Sequence, residues 1–331
     1  AASGGGALDI GPGCTVILNT VRLSDNECTE MTCDGGGIRN DSVLQLIDSV
    51  VENNHAEDRG GGIYSGVNTL IPTQTTIVNS VLRGNSADAG GGIYSRQTLQ
   101  IAGSLIWNNT ADRTSNSLGG GIYLYGDGST SLVNVTLSEN RSNASGGGIF
   151  ASSTPDVTMK NVTITENTAD DDLEFDSVGG GGLYLSDATI TIANSILANN
   201  VQAGSYGVEY ADCYEAGSTL ITSTYSLQGV NNPVFFACDF NGLGDVQGFP
   251  SSPLDPDLAS LQDNGGLTET HALLLGSPAI DAGDPAGCTN PNGTPLTMDQ
   301  RGNTRPVGGA CDMGAFEHQQ PYGLFLPLIV R

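Results

Sequence analysis

Carboxylates are the most abundant groups in this chain that could do chemistry. The 331 residues include 36 acidic and 11 basic side chains, which gives a formal net charge of −25. Two carboxylates about 6.5–9.5 Å apart could hydrolyse a glycosidic bond with inversion. With so many acids such a pair arises by chance, so the sequence neither supports nor excludes this reaction. Lysine occurs once, at Lys160, and the arginines of the same region form no visible cluster.

Histidine and tyrosine are the next candidates. The three histidines, His55, His271 and His318, lie far apart in the sequence, and we interpret His271 as a hydrogen-bonded structural residue rather than a base. Four tyrosines follow a repeated glycine-aliphatic step and form a stripe that Phe150 continues: Tyr64, Tyr94, Tyr123 and Tyr184. The stripe is either a stacked aromatic ladder that covers one face or a surface for carbohydrate or a partner.

An acidic loop is the strongest candidate for a metal site. It lies between Thr168 and Val178 and contains Asp170, Asp171, Asp172, Glu174 and Asp176. The loop is either solvated or a weak Ca²⁺ site. No EF-hand or nonapeptide calcium pattern is present, so we predict no cofactor and no metal ligands.

The elements that position these residues repeat seven times. Each repeat has a glycine cluster before an aliphatic residue and, later, an aliphatic residue three before an asparagine. The clearest copy runs Gly90-Gly91-Gly92-Ile93 and then Ile106-Trp107-Asn108-Asn109. The clusters begin 25 to 34 residues apart, at Gly4, Gly35, Gly60, Gly90, Gly119, Gly146 and Gly180. Self-similarity at such a period indicates stacked supersecondary units.

The repeat unit contains strands rather than helices. Runs such as 75–82 and 157–165 are rich in β-branched residues and roughly alternate, as strands with one buried face do. Glycine and Asn-Ser clusters break each run too early for a helix. We therefore predict an all-β fold, a right-handed parallel β-helix (solenoid) with a C-terminal capping region and an extended apolar tail.

Three ladders should hold the coils together. The aliphatic residues after the glycine clusters and those three before the asparagines should stack inside as two ladders. The asparagines should sit in a bend, tolerate a left-handed backbone and hydrogen-bond to the coils above and below. They are Asn26, Asn54, Asn85, Asn109, Asn140, Asn167 and Asn200. A row of ligand-binding side chains is the alternative interpretation of this ladder.

The chain divides into five segments, and seven cysteines mark three of them. We expect an N-terminal capping coil, regular coils, irregular coils with a disulfide loop, a C-terminal region and an apolar tail, at residues 1–34, 35–202, 203–250, 251–318 and 319–331. The cysteine spacings match no zinc pattern and indicate disulfides formed in an oxidising compartment. Local pairing would join Cys28–Cys33, Cys213–Cys238 and Cys288–Cys311 and leave Cys14 over. Spacing alone does not establish this connectivity.

Two parts of the sequence resemble known families. Six blocks in residues 250–318 resemble, in order, the choice-of-anchor Q domain: Asn264-Gly265-Gly266, Thr270-His271-Ala272-Leu273, 276–283, 299–302, Arg305-Pro306 and 311–317. This resemblance implies the end of a bacterial surface β-helix. The glycine and asparagine repeat is similar to the repeats of polymorphic outer-membrane proteins, which are autotransporter-like adhesins. Neither resemblance implies a catalytic residue, and we expect Arg301 and Arg305 to form structural ion pairs.

Charge and the first residues indicate where the protein works. The acidic surface repels nucleic acid and anionic membranes, so we predict neither as a partner. No stretch is long enough to span a membrane. Ala1-Ala2-Ser3 resembles an end left by signal-peptide cleavage. We therefore predict a secreted protein, extracellular or on the cell surface.

Our first hypothesis is a structural protein and not an enzyme. Copies would assemble head-to-tail into a cell-surface filament or layer, with the apolar tail as connector. The connecting residues would be Tyr322, Leu324, Phe325, Leu326, Leu328, Ile329 and Val330.

The alternatives are a monomeric adhesin or glycan-binding protein, with cell-surface glycans as partners, and a polysaccharide lyase or hydrolase. An exposed tyrosine stripe on a flat face would favour the adhesin. A cleft of convergent acids and aromatics would favour the enzyme.

Overall fold

The protein is a parallel β-solenoid, seen in a computed structural model that describes residues 5–66, 73–114, 117–169, 179–203, 212–231 and 238–319. These residues form thirty strands and no helix. The described part of the chain therefore has no helix that could cross a membrane. The all-β class predicted from the repeat is confirmed.

Each coil of the solenoid contributes strands to three parallel sheets. Sheet A has eight strands: β1 Leu8–Ile10, β5 Ile38–Asn40, β9 Ile63–Ser65, β13 Ile93–Ser95, β17 Ile122–Tyr125, β20 Ile149–Ser152, β23 Leu183–Ser186 and β27 Cys213–Ala216. Sheet C has seven: β4 Glu27–Cys28, β8 His55–Ala56, β12 Ser86–Ala87, β16 Thr110–Ala111, β19 Arg141–Ser142, β22 Thr168–Ala169 and β26 Val201–Gln202.

Sheet B has fifteen strands and bends in the middle of each coil. They are β2 Thr15–Asn19, β3 Arg22–Ser24, β6 Val43–Ile47, β7 Val50–Glu52, β10 Gln74–Val78, β11 Val81–Arg83, β14 Thr98–Ala102, β15 Leu105–Trp107, β18 Ser129–Ser138, β21 Asp156–Thr165, β24 Thr189–Ala193, β25 Ile196–Leu197, β28 Leu220–Thr224, β29 Leu227–Gln228 and β30 Val246–Gln247. The predicted irregular segment 203–250 therefore includes strands that continue sheets A and B in register.

The core consists of aliphatic ladders that run through the coils. Ile63, Ile93 and Ile122 are register partners in sheet A and are fully buried. In sheet B, Leu82 pairs with Ile106, and both are also fully buried. Because each ladder side chain packs on its counterparts above and below, small aliphatic residues fill the interior without large aromatics.

Left-handed backbone at the corners turns the chain three times per coil. Gly90 opens one corner with φ +66, and the next glycine, Gly91, has no room for a Cβ because the Thr110 carbonyl oxygen would lie 2.3 Å away. At the asparagine corner the prediction of a left-handed ladder residue is wrong. The residue before the ladder asparagine has the positive φ instead, as at Asn53 and Asn108. The ladder side chain can then point inward.

The C-terminal residues close one end of the solenoid and then run back along its side. Phe240, 2% exposed, and the disulfide between Cys213 and Cys238 lie over the last coil. Residues beyond 250 pack on the outer face of sheet B, where Met313 and Phe316 join a second apolar cluster with Ile196 and other side chains of the last coils.

Candidate functional site

The seven predicted ladder asparagines form one continuous hydrogen-bonded column. Each Nδ2 donates to the Oδ1 of the next asparagine over 2.8–3.0 Å. The same Oδ1 also accepts the backbone N–H of the previous asparagine. Asn54 to Asn167 are completely buried. Their donors and acceptors are used within the column, which leaves these amides no free group for a ligand.

A carboxylate ends the asparagine column, which the sequence analysis missed. Asp212 Oδ1 accepts both the backbone N–H and the Nδ2 of Asn200, over 3.1 and 2.9 Å. Its Oδ2 accepts the Val230 N–H over 2.6 Å. Burial raises the pKa of Asp212 to about 7 although these N–H groups favour the charged form.

A serine column at the bend of sheet B was also missed. The Ser80 N–H donates to Ser104 Oγ over 3.0 Å, and the Ser49 N–H donates to Ser80 Oγ over 3.1 Å. Farther along, the Ser195 N–H donates to Ser226 Oγ over 3.2 Å. A serine five residues before a ladder asparagine was the available signal.

The tyrosine stripe is a stacked column on the outer side of sheet A. The column runs from Tyr64 through Phe150 to Tyr214, and its neighbouring ring centroids are separated by 4.7–5.3 Å. Tyr214 was not part of the stripe predicted from the sequence. Tyr64 and Tyr94 are only 2% and 5% exposed. Of the two alternatives for the stripe, the structure has the stacked aromatic ladder. Its rings are buried at the end formed by Tyr64 and Tyr94.

A cleft lies beside the stripe where three corners meet sheet A. It has a volume of about 450 Å³, and its lining residues are Asp58, Arg59, Asp88, Ala89, Tyr94, Arg96, Leu118, Tyr123 and Tyr125. We call it the corner cleft. It is the convergence of acids and aromatics that we set out as favouring an enzyme.

Hydrogen bonds and ion pairs occupy most charges of the corner cleft. Asp88 accepts hydrogen bonds from the hydroxyls of Thr114 and Ser117. Arg59 Nε lies 3.5 Å from Asp58 Oδ1. Arg96 forms no salt bridge among the described residues, and its Cζ lies 5.1 Å from the ring centroid of Tyr125.

The first coil presents an open edge within the described residues. Strands β1 to β4 each pair with one neighbour, in the second coil. Ile10 of this coil is buried, but its other aliphatic interior side chains are only partly buried, in contrast to their counterparts above: Leu8, Val16, Leu18, Val21 and Leu23.

The free hydrogen-bonding groups of β2 can be assigned residue by residue. The Val43 N–H donates to the Cys14 carbonyl, and the Thr20 N–H donates to the Ile47 carbonyl. Because parallel strands alternate the side to which their N–H and C=O point, Thr15, Ile17 and Asn19 direct theirs away from β6. Ile17 is also 60% exposed.

The C-terminal region is clamped to sheet B by buried polar groups. Arg305, 1% exposed, donates to Glu317 Oε2 over 2.8 Å and to Asn134 Oδ1 over 3.1 Å. Arg301 donates to Asp299 Oδ2 over 2.6 Å. Both arginines thus form ion pairs, and Glu317, which was not among the acids considered from the sequence, is the partner of Arg305.

His271 belongs to the same clamp. Its Nδ1 lies 2.7 Å from the Ala259 carbonyl oxygen, and its Nε2 lies 2.9 Å from Ser138 Oγ. Since a carbonyl only accepts, Nδ1 donates, and in the neutral ring Nε2 accepts from the hydroxyl. Both ring nitrogens are therefore used in packing.

The structure describes some of the remaining predicted residues, and the others lie outside the described part of the chain. Three disulfides join Cys28–Cys33, Cys213–Cys238 and Cys288–Cys311, and Cys14 is free and exposed. Among the residues that the structure describes, no group of three His, Cys, Asp or Glu could hold a metal. The acidic loop residues Asp170, Asp171, Asp172, Glu174 and Asp176, and the tail residues Tyr322, Leu324, Phe325, Leu326, Leu328, Ile329 and Val330, lie outside the described residues.

One comparison with known proteins bears on this fold. The family model described as right-handed beta helix region matches residues 103–232. With the parallel three-sheet topology, the match confirms the predicted right-handed parallel β-helix. Curated proteins and solved structures give no match. A fold does not determine a function, so function has to be argued from the sites.

Proposed function

We propose that this protein is an extracellular structural subunit that assembles head-to-tail. The first coil of one copy accepts an extended segment from another copy, and the apolar tail 319–331 is that segment. The edge of β2 carries this proposal, because Thr15, Ile17 and Asn19 direct backbone donors and acceptors away from β6 and β2 pairs with no other strand that the structure describes. Adding a strand to an exposed sheet edge gives affinity through main-chain hydrogen bonds.

The partly buried core of the first coil supports the same contact. Val16 and Leu18 are half-buried, whereas their register partners Leu44 and Leu46 are fully buried. A strand stacked at the spacing of about 4.8 Å would cover them with its own apolar side chains. Leu324, Leu326, Leu328 and Val330 provide an alternating apolar set.

The difference between the two ends gives the assembly a direction. At the far end Phe240 already covers the core, so the two ends present different surfaces. A contact between unlike surfaces that does not close into a ring propagates into a filament. Cys14, whose thiol is free, directly precedes Thr15, where the edge strand β2 begins.

We propose that the protein is not an enzyme and works outside the cell. Both ring nitrogens of His271 are engaged in packing, and Asp88 is held by two hydroxyl donors. The three disulfides support an oxidising compartment. The resemblances to the choice-of-anchor Q domain and to surface adhesin repeats support a place on a bacterial surface.

Two complementary variants test the assembly. Ile17→Pro removes an outward N–H from β2, which proline tolerates at a sheet edge, and leaves the tail as a donor. Deleting 321–331 leaves the first coil as an acceptor. Each variant alone should be monomeric by light scattering, and a mixture of the two should form only a 1:1 dimer.

Ile17→Thr is the matched control, because it keeps the backbone N–H and a β-branched side chain. It should assemble as the intact protein does. Polymers formed by both Ile17→Pro and the deletion variant would contradict the proposal. So would two monomeric variants that do not combine when mixed.

A further inference from the structure

We propose that the corner cleft is a binding site for a neutral saccharide. Its volume of about 450 Å³ falls in the range of small-molecule sites, about 300–1,000 Å³. Aromatic rings, a guanidinium and carboxylates meet there, at Tyr123, Tyr125, Arg96 and Asp58. This site is separate from the edge of the first coil that carries the proposed assembly.

Arg96 is the group best placed to recognise a ligand. A guanidinium has five N–H donors in one plane, and Arg96 forms no salt bridge within the described residues. Its Cζ lies 5.1 Å from the ring centroid of Tyr125, within the distance of a cation–π contact, and this contact leaves its N–H donors for a ligand. By contrast, Arg22, Arg83, Arg301 and Arg305 each pair with a carboxylate.

The carboxylates supply the complementary acceptors. Asp58 lines the cleft one coil below Asp88, and the backbone N–H of Asp88 donates to the backbone carbonyl of Asp58. A sugar hydroxyl both donates and accepts, so it is satisfied only where donors and acceptors occur together. Arg96 and Asp58 provide this pair within one cavity.

The charges in the cleft select an uncharged ligand. The lining contains two guanidiniums, of Arg59 and Arg96, and two carboxylates, of Asp58 and Asp88, so it has no excess of positive charge. The whole chain carries −25, which repels a uronate or a sulfated sugar. Because the two guanidiniums offset the two carboxylates, the lining itself offers no net attraction to a cationic ligand.

The aromatic rings supply the apolar wall that a sugar ring needs. Tyr125 is 37% exposed, and its ring centroid lies 6.4 Å from that of the half-buried Tyr123. Tyr123 itself is stacked between Tyr94 and Phe150 at 4.9 Å on both sides. Tyr123 is therefore held in place before a ligand arrives, which lowers the cost of binding.

Saturation-transfer NMR on the full chain tests this site. The probes are three neutral trisaccharides, built of glucose, galactose or mannose, and trigalacturonate. We expect at least one neutral trisaccharide to bind more tightly than trigalacturonate. Arg96→Ala should weaken its binding about tenfold or more, because a hydrogen bond to a charged group is lost. Arg22→Ala, on the exposed Arg22 away from the cleft, should leave the affinity unchanged.

Three results would overturn the proposal: no neutral trisaccharide binds, trigalacturonate binds more tightly, or Arg96→Ala binds like the intact protein. The near-UV circular dichroism of the stacked tyrosines shows whether Arg96→Ala keeps its fold. Should that signal change, Arg96→Lys provides the second variant. It keeps the charge but loses the planar donors, and it should also bind about tenfold more weakly.

Discussion

Replacing Asn109 with alanine should be among the most destabilising single changes in the solenoid. Asn109 is completely buried in the middle of the asparagine column. Its Oδ1 accepts the Asn85 N–H over 3.0 Å and the Asn85 Nδ2 over 2.9 Å. Its Nδ2 donates to Asn140 Oδ1 and to the Leu82 carbonyl, both over 3.0 Å.

The magnitude follows from the groups that lose their partners. Asn109→Ala leaves the backbone N–H of Asn85 and one of its amide hydrogens buried without an acceptor. At about 1–3 kcal/mol for each stranded donor, the free energy of unfolding should fall by about 2–6 kcal/mol. Asn26→Ala leaves no donor without an acceptor, because the Asn26 side chain only donates hydrogen bonds, to the Ser24 carbonyl and to Asn54 Oδ1. It should cost about 1 kcal/mol.

The assay is urea unfolding followed by circular dichroism, with midpoints compared at a constant slope. Asn19→Ala, on an exposed residue of the first coil, is the control and should change the midpoint little. Equal losses for Asn109→Ala and Asn26→Ala would refute the reasoning, because the cost would not depend on position within the column.

Three further predictions address the corners, the end of the column and the clamp. Gly91→Ala should destabilise by about 1–3 kcal/mol or more by urea unfolding, because its Cβ would meet backbone oxygens at 2.3 and 2.6 Å. Gly11→Ala, with no atom within 4 Å of the added Cβ, should not. Burial raises the pKa of Asp212 from 3.8 to about 7, so the folded state binds the extra proton between these values. The stability of the protein relative to Asp212→Asn should therefore fall as pH rises from about 4 to about 7 and be level above that. A pH-independent difference would contradict this. Arg305→Gln leaves a buried carboxylate unpaired, which costs about 3–5 kcal/mol. Limited proteolysis should then cut within residues 251–319 before the solenoid, whereas uniform cutting would argue against a clamp.

The repeat made the solenoid predictable because its ladders come from local, regularly spaced residues. Ile63, Ile93 and Ile122 occupy the same place after a glycine cluster and are register partners in sheet A. The asparagines likewise stand in equivalent coil positions, so counting from the glycines places them on one column. The serine column has a similar signal, because Ser80 and Ser104 each stand five residues before a ladder asparagine.

The C-terminal region depends on contacts between residues far apart in the sequence, which the repeat does not encode. Arg305 reaches Asn134, 171 residues earlier, and no local pattern joins the two. Arg96 and Tyr125 meet because Arg96 follows a strand of one coil and Tyr125 ends a strand of the next. Each stands six residues after the start of a glycine cluster, at Gly90 and Gly119, so this contact, unlike that of Arg305 with Asn134, follows from the repeat.

Light scattering combined with electron microscopy of the 331-residue chain tests head-to-tail assembly. Head-to-tail assembly predicts linear polymers whose mass grows with protein concentration. A single monomer mass at every concentration, with isolated rods in the images, would contradict it.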